Sequence, residues 1–148
     1  MKCLLPVICL VADLALSGCG GTAEMTDAKA LATAYAEEFG VSPPAGVADL
    51  QARHVVVGDS FGAWLRFVAD PATFDGSVAK RFTPCGYGDF IARVDRSPNT
   101  PAWWRPIANA TTKFYYCSHW RDPKSYSEAV IAYDRAEHIV YFHHGMSY

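Results

Sequence analysis

The chain has 148 residues, enough for one compact domain, and its 13 Lys and Arg against 15 Asp and Glu leave a formal net charge of −2. A composition that is 51% hydrophobic and 19% charged excludes a long disordered polymer, a collagen-like repeat and a polytopic membrane protein. No basic surface is announced, so no nucleic-acid partner is expected.

Met1-Lys2 places one positive charge ahead of the apolar run Leu4 to Ala12, which resumes as Leu14-Ala15-Leu16 and meets Ser17-Gly18-Cys19. That order of charge, apolar run and small residues predicts a secretory signal over 1–18. At about 1.5 Å rise per residue such a run is too short to span the roughly 30 Å of a bilayer core. The junction Leu16-Ser17-Gly18-Cys19 resembles the lipobox of bacterial lipoproteins. The resemblance implies cleavage after Gly18, a diacylglyceryl group on the Cys19 thiol, and a place in the cell envelope. Gly20 in the following position resembles the sorting signal for the outer membrane. An ordinary cleavable signal and a buried N-terminal helix are the alternative readings of the same run.

Residues 19–26, beginning Cys19-Gly20-Gly21, read as a flexible tether, and 27–148 as a single globular domain. Thr26 is placed to cap a helix over Asp27–Phe39, with Ala28, Leu31, Ala32, Tyr35 and Phe39 forming an apolar stripe and Gly40 closing it. Glu37 and Glu38 oppose the dipole at its end, so tertiary packing must hold this helix. Arg53–Val57 and Ala63–Ala69 read as strands of a hairpin turning through Gly58-Asp59-Ser60-Phe61-Gly62. Asp70-Pro71 predicts a short helix running to about Lys80, weakened at Gly76.

Phe82 to Ile107 is punctuated by prolines and glycines, with one short element expected at Asp89–Val94. Strands are then predicted at Lys113–Trp120, Ser127–Tyr133 and His138–His144, the last two joined by a tight turn at 134–137. Strands following a leading helix, without βαβ alternation, predict an α+β fold in which the N-terminal helix covers an antiparallel sheet of four or five strands.

In an exported domain the remaining pair, Cys85 and Cys117, is expected to form a disulfide. No metal or other cofactor is expected. The five histidines, His54, His119, His138, His143 and His144, show neither an HExxH pattern nor carboxylates at fixed spacing. Gly58-Asp59-Ser60 resembles the GDS motif of lipase-like esterases, but Asp134 and His138 lie four apart where that family has three, and a hairpin turn explains the segment better. Trp103-Trp104, between Pro101 and Pro106, is the most unusual local feature. With Arg105 it is the candidate contact surface for a protein or glycan partner, one indole or both being alternatively core. The reading is therefore a lipid-anchored binding or interaction module, against a small envelope hydrolase and a structural envelope protein.

Overall fold

A computed structural model of the chain describes residues 20–94, 99–121, 123, 124 and 126–147. The expected signal over 1–18 and the lipidation residue Cys19 lie outside the described residues. Among the described residues the fold is α+β: one sheet of seven antiparallel strands, numbered in chain order and delimited below, arranged β1-β2-β3-β7-β6-β5-β4 with helical segments on both faces.

The strand count is higher than the four or five expected, for two reasons. Gly20–Met25 is not a free tether but an edge strand, β1, paired along its length with β2, Val47–Val57. Its partner is long, so an otherwise weak strand former gains a six-residue ladder of backbone pairs. A strand therefore precedes the first described helix. The second addition is β4, Thr83–Cys85, which pairs with β5, Thr112–Ser118.

Helix α1, Ala28–Phe39, is capped by Asp27, whose carboxylate accepts from the Ala30 amide at 2.9 Å, one residue later than the expected Thr26 cap. Gly40 closes it in the left-handed region at φ 74°. The packed face is Leu31, Ala34, Tyr35, Glu38 and Phe39, rotated from the expected stripe so that Ala28 is exposed and a carboxylate lies within the face. Strand β3, Ser60–Ala69, completes the expected hairpin with a tighter turn: Ser60, Phe61 and Gly62 pair with β2, and the chain reverses at Gly58-Asp59 alone. Asp70 caps α2, Pro71–Thr73, by accepting from the Thr73 amide at 2.9 Å, and the helix widens through Phe74–Val78 across Gly76. Helix α3, Tyr87–Val94, follows β4. Strands β6, Ser127–Asp134, and β7, Ile139–Ser147, form the expected final hairpin, and β7 inserts beside β3 to join the two halves of the sheet.

Alternation along the strands divides the core in two. One face, with Leu65, Phe67, Ile131, Tyr133 and Phe142, packs under α1, Phe74, Phe82 and Trp120. The other, with Trp64, Val130 and Ala132, packs under Phe90 and Val94 of α3 and under Trp104.

That division corrects the expected disulfide. Cys85 and Cys117 are both free thiols. Cys85 pairs in register with Phe114 and packs with the Trp64 cluster, whereas Cys117, three residues further along β5, packs with the opposite cluster. Side chains an odd number of residues apart on a strand point to opposite faces, so a bridge would have to pass through the sheet. Burial raises the pKa of both thiols, keeping them protonated and slow to react.

Candidate functional site

The Trp103-Trp104-Arg105 platform is not assembled. Trp104 is 4% exposed, its indole edge-on to Trp64 at 4.8 Å between centroids, and its Nε1–H donates to the Phe142 carbonyl at 3.0 Å. Trp103 packs half-buried beside it and donates its Nε1–H to Glu24 Oε1 at 2.6 Å, while Arg105 is exposed. Adjacent residues diverge, so the proline-flanked loop is a cover for the second face of the sheet, with the Trp104 donor committed inward and the Trp103 donor to the exposed Glu24 on β1.

The esterase-like triad is also dispersed. Ser60 pairs with Ser147 at one end of the sheet, and Asp134 pairs with Ile139 at the other. The nine residues of β7 between those ends span about 26 Å at the usual rise of a strand.

His143 and His144 point to opposite faces, as adjacent strand residues must. His143 stacks on Trp64 at 3.8 Å between centroids, its Nδ1–H donating to the Ala63 carbonyl at 3.1 Å. Burial drives its pKa down to about 3, against 6.5 for an ordinary imidazole. The unfolded chain thus takes up the proton first as pH falls. The stability this residue contributes is whole above pH 6.5 and is lost progressively as pH falls toward 3. The expected slope is up to about 1.4 kcal/mol per pH unit over that window. Urea unfolding of wild type and His143→Asn at a series of pH values should show a shallower acid loss in the variant; parallel curves would exclude this linkage.

His144 enters a polar cluster that sequence reasoning missed. Glu38, its side chain fully buried, accepts from His144 Nδ1 at 2.9 Å and from Trp120 Nε1 at 3.1 Å through the same oxygen. Its other oxygen lies 3.4 Å from the Arg121 guanidinium, which also donates to the Glu37 carbonyl at 2.6 Å. His54 lies 3.9 Å from Glu37, and burial lowers its pKa against the opposing pull of Glu38 and Glu37. A carboxylate that fixes an imidazole through Nδ1 can prepare a general base. Here the His144 Nε2 is buried with no hydrogen-bond partner among the described residues, so no nucleophile sits against it. The cluster ties the end of α1 to β7 and to the loop after β5. Among the described residues, no group of three or more His, Cys, Asp or Glu is placed to hold a metal ion.

Among the described residues, one accessible feature is a groove at the outer edge of the sheet. Strand β4 stops at Cys85, opposite Phe114, while β5 continues past it to Lys113 and Thr112. The space beside this step measures about 390 Å³ and is lined by Pro84–Tyr87, Thr112–Tyr115 and Arg135. Tyr87 is 48% exposed and packs on Phe114 at 5.3 Å between centroids. Lys113 and Arg135 are exposed, and the lining contains no carboxylate. Aromatic faces beside two cations suit a ligand that carries negative charge on an apolar frame. No family model matches the chain, and searches of characterised proteins and of solved structures find no match.

Proposed function

We propose that this is a lipid-anchored envelope module: the signal over 1–18 is removed, Cys19 carries a diacylglyceryl thioether, and the folded body binds an acidic, partly aromatic segment of a protein partner in the groove at the end of β4. It acts at the outer membrane or on the periplasmic face of the envelope. The lipobox residues Leu16-Ser17-Gly18-Cys19 support the anchor. The observation that carries the binding role is the groove itself, with Tyr87, Phe114, Tyr115, Lys113 and Arg135 and no acid in its lining. Its position supports the reading further. It adjoins Thr112 and Arg135, at the end of the sheet opposite Gly20, so a body held at Cys19 presents it away from the bilayer.

The test is calorimetric titration of the detergent-solubilised lipoprotein with a short synthetic peptide of alternating glutamate and tyrosine. Lys113→Glu together with Arg135→Glu should weaken binding by at least about tenfold, equivalent to roughly 1.4 kcal/mol. Both side chains are exposed, so unfolding curves should be unchanged. Equal affinity of variant and wild type would overturn the assignment of the groove.

A further inference from the structure

We infer that the end of the sheet carrying Gly20 seats directly on the bilayer, with Val56, Val57 and Tyr126 as its lipid-contacting side chains. The inference rests on the acylation of Cys19 proposed above and goes beyond it, from a covalent leash to a defined face of the body.

Covalent geometry supplies the first step. Cys19 is bonded to Gly20, so their Cα atoms are about 3.8 Å apart. Gly20 is already a member of the sheet, opposite Val57, with Gly21 opposite Val56. No spacer separates an acylated cysteine from the folded body, and whatever surrounds Gly20 is brought to the membrane with it.

What surrounds Gly20 is apolar and uncovered. Val56 and Val57 are 45% and 46% exposed, because the strand beside them offers two glycines and no side chain to cover them. They point to opposite faces of β2, so a bilayer meeting the sheet end-on touches both. Register continues the same end across the sheet: Val56 pairs with Phe61, Phe61 with Met146, and Met146 with Ser127. Phe61 and Met146 are half-buried, and Tyr126, just before Ser127, is 88% exposed. A tyrosine with an apolar ring and a polar tip suits the headgroup boundary. The charges at this end fit the same depth: Arg121 lies 5.9 Å from the Phe61 ring centroid, and Asp59 sits at the hairpin turn, where water and headgroups remain. Acyl chains on the neighbouring residue make contact of these side chains with lipid effectively intramolecular, so even a small apolar patch is engaged.

The full precursor, matured in a lipoprotein-processing host, is tested with photoreactive benzoylphenylalanine in place of Val57 and, separately, of Ile107. Ile107 is 67% exposed but adjoins Thr112 at the opposite end of the sheet, whose hydroxyl it accepts at 2.6 Å. Each purified protein is reconstituted into vesicles of phosphatidylethanolamine and phosphatidylglycerol and irradiated, and adducts are read by intact mass. Phospholipid adducts at position 57, with none above background at 107, are expected. Equal labelling at both positions, or protein dimers at 57 in place of lipid adducts, would overturn the seating while leaving the anchor standing. A mass without the diacylglyceryl group on Cys19 would overturn the anchor, and the seating with it.

Discussion

Glu38→Ala is expected to destabilise the protein by about 3–5 kcal/mol in urea unfolding, the usual cost of removing one member of a buried charged network. The reason is the number of donors that depend on it. His144 and the Trp120 indole both donate to one carboxylate oxygen, and Arg121 faces the other at 3.4 Å. The two buried donors lose their acceptor at once, in a place where water does not replace it, while Arg121 loses an ion-pair partner but keeps the Glu37 carbonyl. Against a typical total stability of about 5–15 kcal/mol, such a loss leaves the variant near the unfolding threshold at room temperature. A double-mutant cycle with His144→Ala should give a coupling of about 1 kcal/mol or more, since the second substitution removes a donor already orphaned. A Glu38→Ala loss below about 1 kcal/mol would mean that the cluster does not hold α1 to the sheet.

The second large effect separates two adjacent indoles. Trp104→Ala should cost about 3–5 kcal/mol, because it empties the space between Trp64, Phe90 and Tyr141. Trp103→Ala should cost about 1–2 kcal/mol, for a half-buried ring and one hydrogen bond to the exposed Glu24. Both are read by denaturant midpoints at constant slope. Equal small losses would put Trp104 back on the surface, and with it the idea of an indole platform for a partner.

These residues also mark how far the sequence could be read. Local punctuation is legible to within a few residues: Asp70-Pro71 opens a helix, Gly40 ends α1, and a hairpin turns inside the expected segment 58–62, at its first two residues. The α+β class and the final hairpin followed from the same kind of signal. Illegible were features set by partners far away in the chain. Glu38 looked misplaced against the helix dipole because its donors lie 82 and 106 residues on. Gly20–Met25 has the composition of a tether and becomes a strand only because β2 offers an edge long enough to pair with it. The faces of Cys85 and Cys117 depend on the register of β4 with β5, which spacing does not reveal. For the candidate site, the strand that carries Phe114 and Tyr115 is predicted within Lys113–Trp120. The groove beside it exists because β4 ends early, a tertiary fact.

The most direct test of the account is the intact mass of the protein taken from membranes of the organism that makes it. The spectrum should correspond to a chain beginning at Cys19 and carrying acyl groups there, with Cys85 and Cys117 retaining both thiol hydrogens. A mass that begins at Met1, or a chain that begins at Cys19 without a lipid substituent, would contradict it.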